Sequence, residues 1–305
     1  MPCYHPLQAF ATKAKKPNGK ATIVFNKKIG SSSNAMEPIK VPCGRCIGCR
    51  LERSRQWALR CMHESSLYPR NCFITLTYNP ENLPKEGGLQ LRHWQLFIKR
   101  LRKKFGEGIR FFHCGEYGEK NFRPHYHACL FNFDFTDRKL YKNSNGIPLY
   151  TSEILNSLWT NPDTGTSMGF ATIGDVTFES AAYVARYITK KINGEKANKH
   201  YQGKKPEYIT MSRRPGIGKG WYEKYKTDCY PSDFLVHREK KIKPPKFYDK
   251  LLDKEDPQQL EKLKESRKLL TRNDPLEESP QRRKVKETLK RLQLKQLKRK
   301  YEDET

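Results

Sequence analysis

Two histidines one residue apart, His125 and His127, follow a carboxylate, Glu116, across a loop containing Gly, Asn and Pro. They sit in the runs Phe112-His113-Cys114-Gly115-Glu116 and Arg123-Pro124-His125-Tyr126-His127. On a strand, residues two apart point to the same face, so His125 and His127 project together. A hairpin symmetric about the 120/121 bond sets Glu116 opposite His125, where opposed Cβ atoms stand about 5 Å apart. Two imidazoles and one carboxylate then converge on one point. Mixed N/O ligation with open positions suits a divalent ion such as Mg²⁺ or Mn²⁺, able to polarise a phosphate oxygen. The plainer reading, two histidines flanking a tyrosine on a half-buried strand, leaves the carboxylate at hairpin distance unexplained. Cys114 shares the Glu116 face and opposes His127, which keeps a softer metal as an alternative; His113 and Cys129 read as packing residues.

A second constellation is Tyr183-Val184-Ala185-Arg186-Tyr187-Ile188-Thr189-Lys190-Lys191. Tyr183 and Tyr187 are four apart and share one helix face, beside an apolar stripe of Ala181, Val184, Ala185, Ile188 and Ile192 that already supplies a buried side. Lys191 continues the tyrosine face, with Lys190 near it. Two phenols backed by lysine suggest nucleophiles with a charge partner. A tyrosine attacking a phosphodiester gives a phosphotyrosine and a free 3′-OH. The bond energy is kept in that link, so the strand can be resealed without ATP. A second tyrosine permits a new cut while the first is occupied.

The third is Cys43-Gly44-Arg45-Cys46-Ile47-Gly48-Cys49. Three thiolates at this spacing, with Cys3 as a fourth, make a tetrahedral Zn²⁺ site; Cys61 and His63 are rival fourth ligands. An iron–sulfur cluster uses similar runs, but nothing else in the chain calls for redox chemistry. Arg45, Arg50, Arg53 and Arg55 flank the run and are candidates for DNA phosphates or for a solvated helix face. Lys99 to Lys104 pose the same choice. Trp221 and Tyr222, after Arg213, Arg214 and Lys219, either stack on unpaired bases or anchor the last core segment.

Elements must hold these groups. Periodicity predicts a helix over 50–64, a strand over 72–78 ended by Asn79-Pro80, and a helix carrying Leu91, Trp94, Phe97, Ile98, Leu101 and Phe105. Strands follow over 109–116 and 125–131, then a short helix over 152–159, a strand over 169–178 and a helix over 179–192. The order β-α-β-β-α-β-α is the split βαβ, ferredoxin-like/RRM-like pattern with an added helix. The fold class expected is therefore α+β with an antiparallel sheet.

The chain has 305 residues, with 60 Lys and Arg against 33 Asp and Glu, a net charge of +27. Such an excess points to a polyanion, first of all nucleic acid. Residues 230–305 carry 22 of the basic and 15 of the acidic residues, so most of the net charge lies on 1–229. That organisation divides the chain into a Cys-rich module over 1–65, a central domain over 66–229 and a charged tail over 230–305, partly helical or disordered. No apolar run nears the roughly 20 residues of a membrane span, and the first residues lack a signal-peptide layout. With nine cysteines and no such signal, the expectation is metal binding in a reducing compartment.

His125-Tyr126-His127, Glu116 and the Tyr183/Tyr187 helix together resemble the HUH endonuclease superfamily in its two-tyrosine branch. The strand Phe73-Ile74-Thr75-Leu76-Thr77-Tyr78 is similar to that superfamily's first motif. The cysteine run, Gly115-Glu116-Tyr117-Gly118, Arg123 to His127 and Met211-Ser212-Arg213-Arg214-Pro215-Gly216-Ile217-Gly218 resemble the replication initiators of gokushovirus-type microviruses, small phages with circular single-stranded DNA. The resemblance spans roughly 1–225 and implies rolling-circle replication: nicking of the plus strand at the origin of the replicative form, attachment to the 5′ end, a 3′-OH primer for a host polymerase, and final rejoining. It implies Mg²⁺ or Mn²⁺ on Glu116, His125 and His127, alternating attack by Tyr183 and Tyr187, and Lys190 or Lys191 orienting the phenol. Arg45, Arg50, Arg123, Arg213, Arg214 and Lys219 would then contact DNA. No G-x-x-x-x-G-K-[ST] pattern is present, so unwinding falls to a host helicase, in the cytoplasm of the bacterial host. Two other readings fit parts of the pattern: a non-enzymatic zinc-stabilised DNA-binding protein, and a two-tyrosine transposase or plasmid initiator.

Overall fold

The computed structural model describes residues 3–15, 21–25, 36–118, 121–144, 146–190, 195–270 and 276–296. In chain order the strands and helices are β1 (Leu7–Lys15), β2 (Ala21–Val24), β3 (Met36–Val41), α1 (Ile47–Ser65), β4 (Asn71–Thr77), α2 (Leu91–Phe105), β5 (Arg110–Tyr117), β6 (Pro124–Phe131), β7 (Lys139–Ser144), β8 (Ile147–Thr151) and α3 (Glu153–Leu158). There follow β9 (Ala171–Gly174), α4 (Phe178–Lys190), α5 (Glu195–Tyr201), β10 (Tyr208–Met211), α6 (Lys219–Tyr225), β11 (Leu235–His237), β12 (Lys240–Ile242), α7 (Lys246–Glu255), α8 (Pro257–Leu269) and α9 (Pro280–Gln296). The chain is thus α+β with antiparallel sheets, as expected. It forms two compact units, residues 1–52 with 272–297, and residues 53–271.

In the first unit, β1 lies between β2 and β3, antiparallel to both. Its pairing with β3 runs from Leu7 opposite Val41 to Thr12 opposite Met36. That register sets the residues before β1 beside those after β3. Helix α9 belongs to the same unit, where His5 Nε2 stands 2.5 Å from Glu287 Oε2.

The second unit is built on a seven-stranded sheet in the order β10-β5-β6-β4-β9-β8-β7. β4, α2 and β5 form a crossover, and β6 folds back between the two strands. The β7–β8 hairpin is inserted before α3 and β9, an addition the sequence pattern does not announce, whereas α3 is the short helix expected over 152–159. One face of the sheet buries Ile74, Leu76, Tyr126 and Leu130 against Trp94, Phe97, Ile98 and Leu101, the apolar stripe of α2. Gly106 ends that helix at φ 99°, its N–H on the Arg102 carbonyl. The other face buries Phe73, Phe112, Cys114, Cys129 and Phe131 beneath Ala58 and Cys61 of α1 and Ala181, Val184 and Ala185 of α4. This second face carries Glu116, His125 and His127.

Residues 230–269, inside the expected charged tail, contribute real core. Tyr248, Leu252, Leu260 and Leu263 are buried with Trp221 and Tyr222, and Trp221 stacks on His63 at 3.7 Å between centroids. Of the two readings of Trp221 and Tyr222, the packing one describes the structure. The same packing removes His63 as a zinc ligand: its Nδ1 is 2.7 Å from the Tyr248 hydroxyl. Cys61 is fully buried in the sheet-facing core and is likewise not part of the cysteine cluster.

Candidate metal centre and tyrosine helix

The β5–β6 hairpin has the symmetric register expected: Glu116 faces His125, and Cys114 faces His127. The three side chains of the site are 1–3% exposed. His127 Nε2 lies 2.7 Å and His125 Nε2 3.6 Å from Glu116 Oε1. One ligand atom from each residue fits within 4.8 Å of the others. Burying a carboxylate is costly unless a cation or good donors accompany it. Two imidazoles and a carboxylate, converging at the buried end of a hairpin, make an N/O donor set that fits a divalent cation.

Neighbouring strands hold the ligands in place. Thr75 of β4 pairs with His127 in the sheet, and its hydroxyl is 2.9 Å from His127 Nδ1. That interaction turns Nε2 towards Glu116, the usual way an outer partner fixes a metal-ligating imidazole. Phe73 stacks on the same ring at 5.7 Å. Cys114 packs with Phe112 and Cys129, and the Glu116, His125 and His127 cluster does not include it. His113 points to the opposite face, stacked on Trp94 at 3.8 Å, its pKa well below the usual value through burial and then the charge of His127.

Helix α4 covers this face. The Tyr183 hydroxyl donates to Glu116 Oε1 at 3.1 Å, and its ring meets His127 edge-on at 5.0 Å. The Arg186 guanidinium carbon lies 5.6 Å from the Tyr183 ring centre. The Ser54 hydroxyl donates to the Ala182 carbonyl at 3.0 Å, fastening α1 to α4. Tyr187 and Lys190 lie on α4, but their side chains are outside the described residues, and Lys191 is outside them altogether.

The four cysteines Cys3, Cys43, Cys46 and Cys49 form the second cluster, their sulfurs also within 4.8 Å of one another. Backbone N–H groups point at the sulfurs: Cys43 to Cys3 at 3.2 Å, Cys46 to Cys43 at 3.3 Å and Tyr4 to Cys46 at 3.3 Å. Four thiols with amide donors around them form a closed set that could hold a structural metal such as zinc.

The residues expected to touch DNA lie on several separate segments of the chain. Arg45 is exposed and Arg50 half-buried. The Arg123 guanidinium donates to the Tyr78 carbonyl at 2.8 Å. Arg213 and Arg214 are exposed after β10, and Lys219 pairs with Glu223 at 2.9 Å. Thr75 and Ser54 escape a reading of single motifs. Thr75's alternation with Phe73 and its pairing with His127 were the available signals, and the second is a long-range fact.

Residues 71–192 match the family described as replication-associated protein ORF2/G2P. The chain is 35% identical to the replication-associated protein VP4 of Bdellovibrio phage phiMH2K, over 85% of this chain and 79% of that one. It is 35% identical to the replication-associated protein ORF2 of Spiroplasma virus 4, over 88% and 86%. A shorter match, 29% identical, joins half of this chain to 38% of the replication-associated protein ORF4 of Chlamydia phage 1. No solved structure matches. Similarity over this much of the chain, with the β5–β6 hairpin and α4 inside the matched family region, makes it a member of the family of phage replication-associated proteins.

Proposed function

We propose that this protein initiates rolling-circle replication of a small circular single-stranded phage genome by nicking the origin and later rejoining the strand. The observation that carries the reading is the Tyr183 hydroxyl on Glu116 Oε1, 3.1 Å away, at the edge of a buried carboxylate–imidazole cluster. Glu116, His125 and His127 would hold a divalent cation, Mg²⁺ or Mn²⁺, whose Lewis acidity polarises the scissile phosphate.

The chain's own groups then do the following. Glu116 accepts the phenolic hydrogen bond and orients Tyr183 Oη. The phenol gives up its proton to solvent as its oxygen forms a bond to phosphorus and the P–O3′ bond breaks. The departing 3′ oxygen takes up a proton and becomes the 3′-OH primer for a host polymerase. The 5′ phosphate stays on the tyrosine. Rejoining reverses these bonds: the 3′-OH attacks the phosphotyrosine, and the phenol regains its proton. Tyr187, one turn along α4, would serve the second cut, with Lys190 or Lys191 countering phosphate charge. Arg45, Arg50, Arg123, Arg213, Arg214 and Lys219 would contact the strand, and a host helicase would open the duplex. Zn²⁺ on the four cysteines would stabilise the N-terminal unit. No helix among the described residues is long and apolar enough to cross a membrane, and the work proposed belongs in the bacterial host cytoplasm.

The test is incubation with origin single-stranded DNA and Mn²⁺, followed by denaturing electrophoresis. A protein–DNA adduct that survives denaturation is expected, and the Tyr183→Phe/Tyr187→Phe variant should not form it. An adduct undiminished in that variant, or none with the native chain, overturns the proposal.

A further inference from the structure

A cavity of about 180 Å³ lies between α1 and the start of α7, within the second unit. Four cations line it, Arg53, Arg60, Lys246 and Lys250, together with the rings of Trp57 and Phe247. No acidic side chain is in the lining. Among the described residues, none of the four cations is in an ion pair. Asp249, their neighbour in sequence, is committed to Arg267 and the Tyr230 hydroxyl.

Arg60 is the unusual member. Its guanidinium carbon is 3.9 Å from the Trp57 ring centre and 3.8 Å from that of Phe247. Its Nε donates to the Ile217 carbonyl at 3.0 Å. Clamped between two rings and tied at Nε, the plane is fixed and the paired Nη groups remain to serve a ligand. Burial lowers its pKa to about 10, so it is still a cation at neutral pH. The neighbouring carboxylate, Glu64, is held by Arg110 and the Gly218 N–H rather than by Arg60. This half-buried cation therefore gains much from an anion, and a rigid guanidinium edge suits two oxygens of one phosphate. The first amide of α7, Lys246 N–H, donates to Gln56 Oε1 at 3.1 Å, so the positive end of this ten-residue helix also faces the region.

The cavity's position relates it to the cutting site. Trp57 stacks on Phe112 with centroids 4.9 Å apart. Phe112 shares the Glu116 face of β5 four residues earlier, about 13 Å along the strand. One turn before Trp57, Ser54 fastens α1 to the tyrosine helix.

We propose that this cavity is a phosphate subsite for the single-stranded DNA flanking the scissile bond, with the Arg60 edge on two non-bridging oxygens and Arg53, Lys246 and Lys250 around them. The assignment of DNA as the source of the phosphate rests on the nicking reading above. It makes α1 a positioning element for the strand.

Binding without divalent metal tests this independently of cleavage. Fluorescence anisotropy with labelled oligothymidylates of increasing length would be run on the full chain. Arg53→Gln/Lys250→Gln, both exposed positions, should weaken binding of the longer strands about tenfold. The slope of log K against log salt should flatten by about 0.7 for each phosphate no longer neutralised. Lys103→Gln/Lys104→Gln on α2, against the opposite sheet face, should leave both near the native values. A single neutral methylphosphonate, walked along the strand, should cost the native chain about tenfold at one position and cost Arg60→Met nothing there. Equal losses in the α2 variant, or no position silenced in Arg60→Met, overturn the subsite. Were the binding pattern to hold while the native chain formed no covalent adduct, the subsite would stand and the nicking reading would fall.

Discussion

The two clusters able to hold metal are opposites in construction. Around the cysteines the four donors are alike and lie close together, three on loops that a three-stranded sheet brings together and Cys49 on the first turn of α1. In the hairpin, three unlike donors on two paired strands leave positions open, and a phenol from α4 reaches the same carboxylate. A closed sulfur set holds structure, whereas an open N/O set leaves room for a reacting phosphate. Metal in the first should therefore appear as folding energy, and metal in the second as rate.

The largest effect expected is on the cysteine side. Cys46→Ser, or a zinc chelator, should unfold the N-terminal sheet, since structural zinc in small modules is worth about 10–16 kcal/mol. Hydrogen exchange would show β1 and β3 deprotected while β4–β6 stay protected. Glu116→Gln gives the converse: adduct formation should fall at least about 100-fold, with the same exchange pattern as the native chain. Loss of protection in β5 and β6 would instead make Glu116 a structural group.

The histidines divide in the same way. His63 is packed on Trp221, and burial, then the His237 charge, lowers its pKa to about 4. The unfolded chain binds a proton here near pH 6.5 and the folded chain does not until about pH 4. Its contribution is thus complete above pH 6.5 and is lost as pH falls towards 4, up to about 3 kcal/mol. Chemical denaturation across that range should show a loss that His63→Phe abolishes. Smallest is Thr75→Val, which frees His127 Nδ1 without touching a ligand. It should lower adduct yield about tenfold and raise the Mn²⁺ concentration needed.

The hairpin was legible because strands have a period of two, and a short loop symmetric about one bond fixes the register. Helix α4 was legible from its apolar stripe. The meeting of the two was not, since nothing local to Tyr183 names Glu116 as its partner. Cys3 was found by residue type alone. The strand that delivers it, Leu7–Lys15, mixes lysine, threonine and alanine too evenly to alternate. Charge hid the core of residues 230–269: Tyr248, Leu252, Leu260 and Leu263 stand in short apolar steps among many charged residues, and form one core only once packed with Trp221 and Tyr222. Nothing local marks Arg60, because half of its clamp comes from Phe247, far along the chain.

The most direct test of the central claim is to map the covalent link in Tyr187→Phe, where Tyr183 is the nucleophile that remains on α4. After reaction with origin single-stranded DNA and Mn²⁺, nuclease trimming and proteolysis, mass spectrometry should find a 5′-phosphonucleotide on the peptide containing Tyr183, and none when Mn²⁺ is withheld. A nucleotide on any other residue, or the same adduct formed without metal, would contradict the account.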